Sequence, residues 1–156
     1  MTEEKFQENL AIGTVGEDVV YDWLKANNSL VQNTRAQVHT KNRGPRLEGT
    51  DGSVILPDFI VFNKNPSKGN FAVDVKVKSA IYPISGKMCF TVDENKFDDY
   101  MKCVALMHLD HLKLIFLFED RLYVYTDKEN IGKKVFDNKY GGTSYLFEYD
   151  KSKIRY

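Results

Sequence analysis

Four ionisable residues stand where packing alone gives no reason for a charge: Glu17, Asp58, Asp74 and Lys76. Asp58 is the only ionisable residue in the otherwise apolar run 54–62. Burying a carboxylate is costly unless it is paired or bound to a metal ion. Asp74 and Lys76 are two residues apart, so on a strand their side chains share one face. The four residues are therefore candidates for a chemical site.

These residue types suit hydrolysis of a phosphodiester bond. Carboxylates are hard oxygen ligands that favour Mg²⁺ or Mn²⁺. Two carboxylates from adjacent strands can hold one ion, or a pair of ions about 3.5–4 Å apart. A nearby lysine can orient the attacking water or offset charge on the phosphate. A further carboxylate from a helix, Glu17, would complete the set of ligands.

The first element that must position this site is a helix, predicted from about Glu8 to Ala26. Glu17 aligns at helical spacing with Gly13, Val20 and Leu24, which belong to the inward face. A carboxylate on that face is unexpected for a helix that only packs. The alternative is that Glu17 lies at the boundary of the apolar stripe and reaches water.

Strands and a second helix account for most of the remaining chain. The alternation of valines with charged residues predicts that Asp74, Lys76 and Lys78 share one strand face. Asp93 is a predicted helix N-cap. Pro57 leaves open that Asp58 simply ends a strand in solvent. The expected elements are strands over 30–38, 54–62 and 71–79, a helix from Asp93 to His108, and strands over 112–118, 121–126 and 144–149, with a loop over 41–53.

The order Pro57-Asp58 followed by Asp74-Val75-Lys76 resembles the signature of the PD-(D/E)XK nuclease superfamily. The helix carrying Gly13-x-x-x-Glu17 is similar to the first helix of that fold in archaeal-type Holliday junction resolvases. The resemblance implies an α/β, restriction-endonuclease-like fold in which a central mixed sheet is flanked by helices in the order αβββαβ, with extra C-terminal strands. The long interval before Asp58 and the tail after Thr126 depart from a minimal resolvase.

The same resemblance implies roles for the four residues. Asp58 and Asp74 would bind Mg²⁺ or Mn²⁺, Glu17 would be an added metal ligand, and Lys76 would be the catalytic lysine. The implied activity is metal-dependent cleavage of DNA by an endonuclease, with Holliday junctions as one candidate substrate. A small resolvase cuts two strands, so a two-fold homodimer is expected.

Charge is unevenly distributed along the chain, although 22 basic and 22 acidic residues give no net charge. Residues 28–88 contain nine basic and four acidic side chains. Such a segment can steer a polyanion even when the total charge is zero. Arg43, Arg46, Lys78 and Lys87 are the predicted DNA contacts. The alternative is that these residues belong to ordinary solvated surfaces.

Composition favours one packed domain over residues 1–156, since 42% of the residues are hydrophobic and 13% aromatic. No apolar run approaches the roughly 18 residues of a membrane span. Cys89 and Cys103 are too few for a disulfide framework. We therefore expect a reduced cytoplasmic protein with no membrane partner.

Three other functional interpretations stay open from the sequence. The first is a sequence-specific endonuclease of the restriction or homing type. The second is a catalytically inactive module with the nuclease fold that binds DNA or protein. The third is an unrelated α/β interaction domain whose charges match the motif by chance.

Overall fold

The computed structural model describes residues 3–27, 29–34, 45–136 and 142–155 of the chain. These residues form two α-helices, α1 (Glu3–Ala26) and α2 (Glu94–Leu106). The strands they form are β1 (Ser29–Asn33), β2 (Arg46–Gly49), β3 (Gly52–Ile55), β4 (Phe59–Asn63), β5 (Phe71–Val77), β6 (Tyr82–Ile84), β7 (Lys87–Asp93), β8 (His111–Phe118), β9 (Arg121–Thr126), β10 (Lys133–Val135) and β11 (Thr143–Glu148).

A five-stranded sheet in the order β1-β4-β5-β8-β9 forms the centre of the fold. β5 and β8 pair in parallel, and the other neighbours in this sheet pair antiparallel. Parallel neighbours need a crossover connection, which β6, β7 and α2 supply between β5 and β8. The series α1, β1, β4, β5, α2, β8 is the predicted αβββαβ order, so the predicted mixed α/β fold is confirmed.

Alternation along β5 directs its side chains into two separate cores. Val73 and Val75 face α1, whose Val20 and Leu24 pack against them. Ala72 faces the opposite side and packs in the core that includes α2. Since successive strand residues point to opposite faces, Asp74 and Lys76 lie on the α2 side. The predicted division of β5 into valine and charged faces is confirmed.

A second sheet, in the order β10-β11-β7-β6, covers the α2 side of the central sheet. Phe90 of β7 stacks on Phe116 of β8, with ring centroids 4.5 Å apart, and Phe147 of β11 packs beside them. The sequence predicted extra C-terminal strands but assigned none of β6, β7 and β10. β6 contains Pro83, and all three residues of β10 are exposed, so neither shows the alternation typical of a strand.

The predicted strand over 54–62 is wrong as a single element. β3 ends at Ile55 and β4 begins at Phe59, with Pro57 between them. Proline has no N–H to donate to a strand ladder, which explains the break. The predicted loop over 41–53 is also wrong from residue 46 onward, because β2 and β3 form an antiparallel hairpin there. Residues 41–44 lie outside the described part of the chain.

Helix ends differ from the prediction by a few residues. α1 begins at Glu3 instead of Glu8. Asp93 is the N-cap of α2, as predicted, and its Oδ1 accepts hydrogen bonds from the backbone N–H groups of Asn95 and Lys96. α2 ends at Leu106, so His108, the predicted end of the helix, lies beyond it and is exposed.

Two further comparisons with the prediction complete the fold. β1 covers residues 30–33 of the strand expected over 30–38, and residues 35–38 lie outside the described part of the chain. Within the described ranges, neither helix is both long enough and apolar enough to cross a membrane.

Candidate active site

Asp58 lies immediately before β4, where β4 and β5 separate. Its Oδ2 accepts a hydrogen bond of 2.8 Å from the backbone N–H of Val75. The ladder between β4 and β5 stops at the pair Phe59–Val73, so no β4 residue lies opposite Val75. The Asp58 carboxylate accepts the Val75 N–H bond in place of a strand partner. Thr34 holds the same segment, since its hydroxyl donates to the carbonyls of Pro57 and Asp58.

Asp74 and Lys76 form an ion pair on the α2 face of β5. Lys76 Nζ lies 2.7 Å from Asp74 Oδ2, and the two side chains are 22% and 3% exposed. Despite this contact, Asp74 Oδ2 receives no hydrogen bond of normal geometry from the residues that the structure describes. The predicted proximity of Asp74 and Lys76 is therefore observed, and the buried Asp74 Oδ2 has an ammonium as its charged neighbour.

Tyr100 of α2 forms the wall opposite Lys76. Lys76 Nζ lies 3.3 Å from Tyr100 Oη and 5.5 Å from the centre of the ring. Burial lowers the pKa of the Lys76 ammonium, but the charges of Asp74 and Asp58 outweigh it and raise that pKa above its ordinary value. Lys76 is therefore positively charged at neutral pH, which fits a role in stabilising negative charge better than one as a base.

The pKa of Asp58 lies well above its ordinary value. Burial is the largest cause, followed by the negative charges of Asp74 and Glu17, while Lys76 and the Val75 N–H act in the opposite direction. Concentrated negative charge of this kind is relieved by a proton or by a bound cation. The carboxylates of Asp58 and Asp74 therefore have the charge and chemistry that suit a divalent ion.

Glu17 approaches the site from α1, on the other face of the sheet. Gly16 permits the approach, because a Cβ at that position would lie 2.6 Å from Val77 Cγ2 and 2.8 Å from Leu117 Cδ1. Glu17 is half-buried, and its charge acts on Asp58. Among the described residues, however, no three His, Cys, Asp or Glu side chains are already arranged to hold a metal ion together.

The predicted DNA contacts occupy different parts of the surface. Lys78 Nζ donates a 2.7 Å hydrogen bond to the carbonyl of Thr91 on β7, so its ammonium lies beside the site. Arg46 lies on the β2–β3 hairpin, and Lys87 lies on the second sheet, where it pairs with Glu148 at 3.6 Å. Arg43 lies outside the described residues.

A scan against known protein families and a search of curated proteins found no match. Among solved structures, the chain is similar to Hjc of Archaeoglobus fulgidus, a Holliday junction resolvase from an archaeal hyperthermophile. The match has a TM-score of 0.57 and covers 90% of this chain and 89% of that chain, at 10% sequence identity. The fold is restriction-endonuclease-like. In that fold, Asp58 immediately before β4 and the residues Asp74 and Lys76 of β5 form one cluster.

Sequence reasoning missed two residues that shape the cluster, Thr34 and Tyr100. Thr34 is buried and fixes the backbone of Asp58, but it lies at the end of a strand with no motif around it. Tyr100 lies within the helix predicted from Asp93 to His108, where no motif marked it. Its hydroxyl was the available signal, since a buried tyrosine usually needs a hydrogen-bond partner.

Proposed function

We propose that the protein is a divalent-metal-dependent endonuclease that hydrolyses phosphodiester bonds in DNA and prefers four-way junctions. The observation that carries the proposal is the cluster of Asp58, Asp74 and Lys76 within the fold of a Holliday junction resolvase. Its buried carboxylate oxygen on Asp74 and its concentrated negative charge fit a cation.

In the proposed mechanism, Asp58 and Asp74 would hold Mg²⁺ or Mn²⁺, and Glu17 would be an added ligand from α1. A bound divalent ion would supply positive charge to the reacting phosphate and favour formation of the nucleophile near neutral pH. Lys76 stays protonated, so its ammonium orients the attacking water and stabilises charge that develops on the phosphate. Tyr100 Oη and Asp74 Oδ2 hold that ammonium in place.

The test compares a synthetic four-way junction with linear duplexes that carry the same arm sequences. Wild type is assayed in Mg²⁺, in Mn²⁺ and in EDTA, beside Asp74→Asn and Asp51→Asn. Asp51 is an exposed acid in the turn of the β2–β3 hairpin and is the matched control. We expect wild type and Asp51→Asn to cut in Mg²⁺ or Mn²⁺ but not in EDTA, and to prefer the junction. We expect Asp74→Asn to cut neither DNA.

Other results of this test favour the other interpretations. Equal cutting of junction and duplex would remove the junction preference and retain the endonuclease. A well-folded wild type that cuts neither DNA would contradict the proposal as stated, and would favour a sequence-specific endonuclease or an inactive binding module.

We also propose that the working unit is a homodimer, since a junction requires two cuts related by a two-fold axis. An open groove of about 650 Å³ between α1 and the ends of β5 and β8 supports this proposal. Its exposed apolar residues are Ile12, Val15, Val19 and Val77. Contiguous exposed apolar surface of this kind is typical of protein interfaces.

Sedimentation of two charge variants tests the dimer. Val15 in the groove and Leu106 at the end of α2 are both 64% exposed. We expect Val15→Glu to be monomeric and Leu106→Glu to remain dimeric, because only Val15 lies in the groove. A monomeric wild type would overturn the dimer while leaving the nuclease proposal standing.

A further inference from the structure

Lys96 is the third lysine of the candidate site, and it comes from a different element than the other two. It lies in the first turn of α2 and is exposed. Residues four apart on a helix are neighbours on one face, so Lys96 lies one turn before Tyr100. The hydroxyl of Tyr100 is 3.3 Å from Lys76 Nζ, so the face of α2 that carries Tyr100 and Lys96 is the face turned towards the cluster.

A second contact brings the start of α2 to the end of β5. Lys78 Nζ donates to the carbonyl of Thr91, and Thr91 is two residues before the N-cap Asp93. The first turn of α2 therefore adjoins the strand that carries Asp74 and Lys76. The N–H groups of Asn95 and Lys96 are already bound by the Asp93 side chain. The side chain of Lys96, not the helix N-terminus, is thus the group that can take a ligand.

The three ammonium groups repel one another at this edge of the site. The charge of Lys76 and desolvation of the Lys96 ammonium lower the pKa of Lys96, and the nearby carboxylates of Asp74, Asp93 and Asp58 offset this only in part. Burial and the charges of Lys76 and Lys96 lower the pKa of Lys78 to about 8. Lys102, further along α2, has its own acidic partner, since its Nζ lies 3.7 Å from Asp99 Oδ1. Clustered cations of this kind are stabilised by an anion that enters between them.

We propose that Lys96 binds a backbone phosphate of the nucleic-acid substrate, on the α2 side of the Asp58–Asp74–Lys76 cluster. The inference rests on the proposed nuclease function and adds the group that holds the substrate there. Lys76 acts at the phosphate that is cut, and Lys96 binds the strand from the facing wall. Lys96 is a binding residue, so its removal weakens the complex more than it slows the chemical step.

The experiment measures binding of a fluorescein-labelled four-way junction by anisotropy, in EDTA, over a range of salt concentrations. The variants are Lys96→Ala, Lys96→Arg and Lys102→Ala, the last being an exposed lysine on the same helix. Loss of one phosphate contact lowers the slope of log K against log salt by about 0.9. We expect this change in Lys96→Ala, its rescue in Lys96→Arg, and the wild-type slope in Lys102→Ala.

Cleavage in Mg²⁺ separates this inference from the function on which it rests. We expect Lys96→Ala to raise KM and to retain most of kcat, with a melting temperature equal to that of wild type. If wild type binds and cuts DNA while Lys96→Ala keeps the wild-type slope and KM, the role of Lys96 is wrong and the nuclease proposal stands. If wild type neither binds nor cuts the junction, both proposals fall.

Discussion

Replacement of Gly16 by alanine should loosen the contact between α1 and the sheet. A Cβ there would lie 2.6 Å from Val77 Cγ2 and 2.8 Å from Leu117 Cδ1. Apolar atoms prefer separations of about 3.5–4.0 Å, so the helix or both side chains must move by roughly 1 Å. Gly13 is the matched control, because a Cβ at that position meets nothing within 4 Å.

The magnitudes follow from two opposing effects. Alanine in place of glycine stabilises a helix interior by about 0.5–1 kcal/mol. Overpacking costs about 1–3 kcal/mol, and it applies at Gly16 only. We therefore expect Gly13→Ala to stabilise the protein. Gly16→Ala should be less stable than Gly13→Ala by about 1–3 kcal/mol, since the overpacking cost is the difference between them.

Urea unfolding followed by circular dichroism measures both stabilities, and a cleavage assay follows the site. Displacement of α1 also displaces Glu17 from Asp58, and a misplacement of about 1 Å can cost on the order of 10²-fold in rate. We expect Gly16→Ala to lose activity beyond its loss of folded protein. Equal stabilisation by the two substitutions would refute the close packing of Gly16 against β5 and β8.

Three further predictions concern titration and burial. The folded state raises the pKa of Asp58 and disfavours its charge, so Asp58→Asn should stabilise the metal-free protein as pH rises above the unfolded pKa of 3.8. Mg²⁺ at a hundred times its Kd should stabilise wild type by about 2.7 kcal/mol and the Asp58→Asn variant far less. Urea unfolding measures both effects. Burial and Lys113 lower the pKa of His111 below 6.5, so wild type should lose stability relative to His111→Phe as pH falls through 6.5; parallel pH profiles would contradict this. Cys89 and Cys103 are fully buried, and burial raises the pKa of the Cys103 thiol to about 11. Both thiols should therefore react with a thiol reagent more slowly in the folded protein than in the protein unfolded by urea.

The central fold could be predicted because its signals are local and periodic. The alternation along β5 and the N-cap Asp93 each follow from side chains that are near one another in sequence. The proximity of Asp74 and Lys76 was predictable because residues two apart on a strand share one face, and Asp58 was conspicuous as the one charge in an apolar run. That logic requires no knowledge of how distant segments pack.

The rest depends on contacts between distant segments. Thr34 binds the backbone of Asp58 across 24 residues, and Tyr100 reaches Lys76 across the same interval. The second sheet forms because β7 pairs with β11, whose residues are about 55 positions later in the chain. Pro57 indicated that the strand could break near Asp58, but the sequence alone could not place the break. The pairing of Phe59 with Val73 shows where β4 begins.

Single-turnover cleavage of supercoiled plasmid in saturating Mg²⁺ tests the central claim most directly. The comparison is wild type with Asp74→Asn, Lys76→Gln and the exposed control Lys64→Gln. We predict no cutting above background by Asp74→Asn, wild-type cutting by Lys64→Gln, and a rate lower by about 10²–10³-fold in Lys76→Gln, the usual cost of losing one electrostatic stabiliser of the transition state. A folded Asp74→Asn variant that cuts at the wild-type rate would contradict the assignment of this cluster as a nuclease site.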